Sequence, residues 1–197
     1  MSDDERLLET LGEAQRLGFL GDAPLPSILA HARRFLAALP TECRRIADVG
    51  SGGGVPGLVL AHDLPDAELI LIDRQTSRLD AVDRWIRRWG WSDRVQVVPA
   101  DAAVAARTNW REWADAAVAR GLGGPGVTAE LTRGFVRVGG VVIVSEPPSE
   151  TDRWPSAPLA DLGLEREVGS WPGVVRLRVV AELPAEIPRR RPAPPRF

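Results

Sequence analysis

Lysine is absent from this chain: all 25 basic residues are arginine, set against 27 acidic ones for a net charge of -2. That balance excludes a molecule coated in positive charge to hold a duplex, and leaves only local arginine patches, where the planar guanidinium makes the better phosphate fork. Cysteine is nearly absent as well. Cys43 stands alone, which rules out an internal disulfide or a multi-cysteine metal site, and His31 and His62 are too few for a histidine-rich centre. No metal is therefore expected. No run of 18 apolar residues occurs, and the opening MSDDERLLET is acidic, without a basic start and apolar core. Neither a membrane span nor a secretory leader is expected, and the chain reads as cytoplasmic.

What is present suffices for one core. Of 197 residues, 44% are hydrophobic and 26% charged, the balance of an ordinary globular domain. Residues 4–19 set Leu7, Leu8, Leu11 and Leu17 among charges at roughly helical spacing. A second apolar stretch runs from Pro26 through Ile28, Leu29, Ala32, Phe35 and Leu36 to Pro40. These predict an N-terminal helical extension over 1–40.

From residue 46 the pattern changes. Short apolar runs at 46–50, 68–73, 94–101, 115–120 and 141–146 alternate with helical stretches, one of them at 127–137, as in a parallel sheet covered on both faces. Two further strand-like runs, 164–171 and 174–183, flank Pro172-Gly173 and predict a hairpin that closes the sheet with an antiparallel edge. The expected fold is a seven-stranded, Rossmann-like, doubly wound α/β sheet over 41–187, mostly parallel, with the last strand antiparallel. Residues 188–197, PRRRPAPPRF, carry four arginines, four prolines and no acid, and read as an extended basic tail.

The strongest local signal is Ile46-Ala-Asp-Val-Gly-Ser-Gly-Gly-Gly-Val-Pro-Gly57, a strand running into an acid and a glycine turn that opens a helix. Gly52, Gly54 and Gly57 satisfy the G-x-G-x-x-G dinucleotide pattern, with Asp73 near the distance of a ribose-binding acid. Asp48, however, precedes the glycines at the strand end, where it would repel a pyrophosphate and hold a cationic amino acid group. S-adenosylmethionine has that cation and no phosphate. Asp73 would then accept the ribose hydroxyls, and Asp101, ending the third strand, would meet the adenine amino group. Each acid taken singly could equally be a helix cap.

With these residues the chain resembles the RsmG family (glucose-inhibited division protein B), from about Ile46 to Val144. The resemblance rests on Asp48-Val-Gly-Ser-Gly-Gly-Gly-Val-Pro-Gly57, Leu71-Ile-Asp-Arg-Gln-Thr-Ser-Arg78, Ala119-Arg120-Gly121 and Arg137-Val-Gly-Gly140. It implies an S-adenosylmethionine-dependent methyltransferase acting on guanine N7 of small-subunit (16S) ribosomal RNA. It also implies cofactor contacts at Gly50, Val55, Ala102, Ala103 and Arg120. The full candidate cofactor set is Asp48, Gly50, Ser51, Gly52, Gly54, Val55, Asp73, Arg74, Asp101, Ala102, Ala103 and Arg120. Arg120 is also the candidate catalytic residue; Arg189, Arg190, Arg191 and Arg196 are the candidate RNA contacts.

The departures bear on the substrate. Where the family reads Lys-Gly after the fifth strand, this chain reads Ser145-Glu146-Pro147-Pro148, and the family's Arg-Ala-Glu becomes Asp101-Ala102-Ala103. Its N-terminal Asn-Leu-Thr element is not found in residues 1–40. Other functions compatible with the residues are a methyltransferase on a small molecule or other acceptor, a non-catalytic adenosylmethionine-binding protein and, at the margin, an NAD-dependent oxidoreductase. Trp85, Trp89 and Trp91 could form a base-stacking platform, but helical spacing favours packing. Packing or surface positions are also expected for His31, His62 and Cys43.

Overall fold

The computed structural model describes residues 2–147 and 152–189. Helix α1 (Asp3–Arg16) starts at a reciprocal capping box, in which Ser2 and Glu5 each accept the other's backbone N–H and three acids occupy the first turn. Helix α2 (Leu25–Ala38) has a proline in its first turn and ends before Pro40. The sheet then unfolds as β1 (Arg45–Val49), α3 (Gly57–Asp63), β2 (Glu68–Asp73), α4 (Thr76–Trp89), β3 (Val95–Pro99), α5 (Ala102–Ala105), β4 (Ala114–Ala119), α6 (Pro125–Arg133), β5 (Val136–Ser145), α7 (Ser156–Ala160), β6 (Leu164–Arg166) and β7 (Val174–Val179).

Strand order is β3-β2-β1-β4-β5-β7-β6. The pairs from β3 through β5 are parallel, whereas β7 runs antiparallel to both β5 and β6. The expected mostly parallel sheet with an antiparallel end is therefore present. The hairpin differs in detail: β7 inserts beside β5 and leaves the three-residue β6 at the edge. Only Leu164–Arg166 of the run 164–171 is strand, because Glu167 to Pro172 turn across the C-terminal rim and Gly173 takes φ +79°. The segment 127–137 is likewise divided, with α6 ending at Arg133 and β5 beginning at Val136.

Side-chain alternation along each strand feeds two cores. Ile46, Leu69, Leu71, Ala116, Val118, Val141 and Ile143 pack toward the first four helices. Ala47, Val49, Ile70, Ile72, Ala117, Val142 and Val144 pack with Phe135, Trp154 and Leu177 on the opposite face. Central β4 is built almost wholly of alanine and is entirely buried. Gly140 of β5 is dictated by packing, since a Cβ there would lie 2.4 Å from the Asp115 carbonyl oxygen.

The tryptophans secure α4 to α1. The Trp85 indole N–H donates to Glu13 at 2.5 Å, and that of Trp89 donates to Thr10 at 3.3 Å. Trp89 and Trp91 stack on each other at 4.7 Å, with Arg6 over one and Arg94 over the other. They form an arginine-capped packing cluster between α1 and α4, the packing outcome their spacing favours.

Candidate functional site

The parallel strands end at one rim, and the acids sit there at different depths. Asp48 shares the face of Ile46 and is fully buried; its Oδ2 accepts the Gly57 backbone N–H at 2.8 Å. A Cβ on Gly57 would come within 2.5 Å of that oxygen. The glycine therefore allows the start of α3 to close on Asp48. The second oxygen, Asp48 Oδ1, has no partner, and neither does the buried hydroxyl of Ser51. Burial pushes the Asp48 carboxyl up to about 7, against the Gly57 hydrogen bond and the nearby Arg120 charge, which favour ionisation.

Asp73 reaches the surface at the end of β2. Its Oδ2 accepts from Gly52 N–H at 2.9 Å and its Oδ1 from Gln75 N–H at 2.8 Å. Each oxygen retains a lone pair for a ligand hydroxyl. Asp101 caps α5 by accepting from Ala103 N–H at 2.9 Å. The glycine turn is tied to β2 as well, because Gly50 and Ser51 N–H both donate to the Ile72 carbonyl.

A cavity of about 350 Å³ spans these strand ends. It brings together Gly50, Asp73, Arg74, Asp101 and Ala102 of the candidate residues. Ser51, Gly52, Gly54, Val55, Ala103, Asp48 and Arg120 lie outside its lining, most of them buried. Its far wall is Gly121, Leu122, Val127 and Leu131; Gly121 belongs to the Ala119-Arg120-Gly121 run, whereas Leu122, Val127 and Leu131, from the loop after β4 and from α6, carry no signal in the local sequence. Arg78, on α4, ends the Leu71–Arg78 run that carries the resemblance but is not among the candidate site residues. It lines the same cavity and lies over the Phe19 ring.

The N-terminal helices complete the rim. Phe19 and Leu20, between α1 and α2, press on the glycine turn so closely that a Cβ on Gly53 would meet Phe19 Cβ at 2.9 Å. His31 and Arg34 of α2 line a further cavity beside the ends of β5 and β7. Burial, with the charges of Arg120 and Arg34, holds the His31 imidazole below its usual pKa. Burial also lowers the pKa of Arg120, against the attraction of Asp48.

The family model for rRNA small subunit methyltransferase G matches residues 32–155, well over half of the chain. The chain belongs to that family. Among curated relatives, the ribosomal RNA small subunit methyltransferase G of Moorella thermoacetica is 32% identical over 114 residues, covering 58% of this chain and 48% of the relative. That of Rubrobacter xylanophilus is 42% identical over 97 residues, covering 49% and 37%. The chain thus spans about half the length, or less, of the curated relatives it matches. Among solved structures, cofactor-bound Rv0187 from MTB aligns with TM-score 0.65 at 20% identity, covering 91% of this chain and 92% of the other. An SAM-dependent O-methyltransferase from Thermotoga maritima aligns with TM-score 0.60 at 14% identity, covering 89% and 72%. At these identities the structural likenesses carry the fold.

Two of the charges expected near the substrate in this small subunit methyltransferase G family member are already paired within the chain. Glu146, where the family resemblance led us to expect lysine, does not present a bare negative charge. It accepts from Arg153 at 3.2 Å and from the Trp154 indole at 2.8 Å. Arg189, a candidate RNA contact, embraces the fully buried Glu130 through its side chain and its backbone N–H. Arg190, Arg191 and Arg196 lie outside the described residues.

Among the described residues, Asp4, His62 and Asp63 form a group with ligand atoms close enough to share a cation. The guanidinium of Arg33 already bridges both carboxylates, at 2.6 Å to Asp4 and 2.9 Å to Asp63. No helix among the described residues is long and apolar enough to cross a membrane.

Proposed function

We propose that this protein transfers a methyl group from S-adenosylmethionine to guanine N7 of small-subunit ribosomal RNA. The observation that carries the cofactor reading is the pair of buried, unpartnered acceptors, Asp48 Oδ1 and Ser51 Oγ, beneath a glycine turn. Such atoms suit a cationic ammonium group and would be hostile to a pyrophosphate. Asp73 would bind the ribose hydroxyls and Asp101 the adenine amino group. Gly50, Ser51, Gly52, Gly54 and Val55 would shape the turn, Ala102 and Ala103 would flank the base, and Arg74 and Arg120 would edge the site. We assign this work to residues 41–187, with 1–40 as a helical extension that walls the rim and 188–197 as a basic tail.

When bound, the cofactor supplies an electrophilic methyl group on a sulfonium. Guanine N7 carries a free lone pair on its major-groove edge, so no proton has to leave before attack. The chain's own part is positional: it holds donor and acceptor in line and keeps water from between them. Arg120, the candidate catalytic residue, stands close enough to Asp48 to bias its ionisation and is suited to orienting the acceptor rather than to removing a proton. Arg190, Arg191 and Arg196 of the tail would add a sequence-independent attraction to phosphate. An activity on ribosomal subunits belongs to the cytoplasm.

The test is labelled methyl transfer to small ribosomal subunits lacking this modification, with digestion to nucleosides. Label recovered as 7-methylguanosine supports the reading. Label found only in small-molecule extract would move the acceptor, and cofactor binding without any transfer would make the protein a binder.

A further inference from the structure

The cavity at Asp73 does not end at β4. Gly121 and Leu122 are shared with a neighbouring cavity, which in turn shares Ser145, Glu146 and Pro147 with the larger one, of about 640 Å³, beside His31 and Arg34. The three adjoin one another in sequence along the C-terminal rim, from the cofactor-side acids to α2. Glu146 lines both of the outer cavities.

Glu146 is held through both its backbone and its carboxylate. Its backbone N–H donates to the Gly173 carbonyl at 2.9 Å, directly beyond the Ser145–Val174 register pair. Arg153 and the Trp154 indole fix its carboxylate, and 21% of its side chain remains accessible. Each carboxylate oxygen has two lone pairs, so one bond to each from protein leaves an acceptor pair. Arg34, across the cavity, makes no ion pair among the described residues. It lies against Gly173, where a Cβ would stand 2.4 Å from its Nη1.

Guanine N7 and the N1–H/N2–H₂ edge stand at opposite ends of the fused ring. A site that offers N7 to a donor leaves the far edge of the base free to be held, and that edge presents two N–H donors that call for two acceptors. A fixed carboxylate supplies them. We propose that Glu146 reads the N1–H/N2–H₂ edge of the acceptor guanine, with Arg34 holding its phosphate. The proposal rests on the acceptor reading above and assigns its specificity-determining residue.

The test titrates guanosine and inosine monophosphates into protein saturated with S-adenosylhomocysteine, because inosine lacks only the 2-amino donor. Parent protein should prefer guanosine by about tenfold. Glu146→Gln, nearly isosteric, should bring that ratio to about one while S-adenosylhomocysteine affinity and melting temperature stay unchanged. Should Glu146→Gln fold poorly, Trp154→Phe, which frees one carboxylate contact and leaves the acid in place, should lower the ratio by several-fold. Equal affinities in the parent, a preference that survives in Glu146→Gln, or no binding of either nucleotide at millimolar concentration would overturn the assignment. Methyl transfer to subunits is scored separately. Transfer without nucleotide preference sinks only the role of Glu146, and preference without transfer sinks only the ribosomal acceptor.

Discussion

Asp48→Asn should make the protein more stable in alkaline buffer. The folded carboxyl titrates at about 7 where its ordinary value is 3.8, which sets about 4 kcal/mol against the ionised, folded form once pH exceeds 7. The sign follows from proton counting. Between pH 3.8 and about 7 the folded chain holds a proton at Asp48 that the unfolded chain has lost. The stability that Asp48 contributes is therefore fully present below the lower value and is lost as pH rises through the upper one. Arg120 moderates the penalty and Asp73 adds to it. Asparagine removes the titration but leaves a buried amide to satisfy, at a cost of about 1–3 kcal/mol, so the net gain at high pH is about 1–3 kcal/mol. The difference between variant and parent across pH is free of that constant cost. It should grow by about 3 kcal/mol from near pH 5 to near pH 8, measured by urea unfolding. A difference that stays level within about 0.5 kcal/mol would refute the idea that Asp48 is buried as a protonated acid. The cofactor reading gives a paired expectation: adenosylmethionine should bind the parent more tightly as pH rises to about 7, and the variant more weakly with no such slope.

Three further outcomes are expected. Asp73→Ala should cost about 1.5–3 kcal/mol of adenosylmethionine binding in calorimetry, and about 1 kcal/mol of stability, because Gly52 and Gln75 N–H lose their acceptor. Unchanged affinity would make Asp73 a cap alone. Arg189→Ala should destabilise the fold by about 1–3 kcal/mol, because its guanidinium faces a fully buried Glu130, while RNA binding in a filter assay changes little. Gly53→Ala should drive the Phe19 linker off the glycine turn at about 1–3 kcal/mol, visible as a lowered thermal midpoint; an unshifted midpoint would mean that the linker yields freely.

The strand-helix alternation was legible because it depends on neighbours within a few residues. The runs at 68–73 and 141–146 could each be read as a strand without knowing what covered it. The glycine turn was legible for the same reason, though not in its detail. Gly57 satisfies a phosphate-binding pattern, yet Asp48, nine residues earlier, is enough to require glycine there, since a Cβ would come within 2.5 Å of its carboxylate oxygen. Asp73 and Asp101 read as ligand acids and are also backbone acceptors, a double role that a carboxylate's four lone pairs permit.

Hydrophobic period and turn chemistry are properties of adjacent residues, so the fold class, the family and the row of acids at consecutive strand ends could be read along the chain. Which charges are free depends instead on packing between distant segments. Arg133, at the end of α6, is fully buried and donates to the carbonyls of Val136, Leu162 and Ala181 and to Glu112. Arg189 reads as a tail charge and closes on Glu130; Glu146 reads as a bare acid and is held by Arg153 and Trp154. Burying a charge is tolerable only when partners arrive from elsewhere in the chain. Those partners are set by how helices and strands pack, and no local pattern announces them.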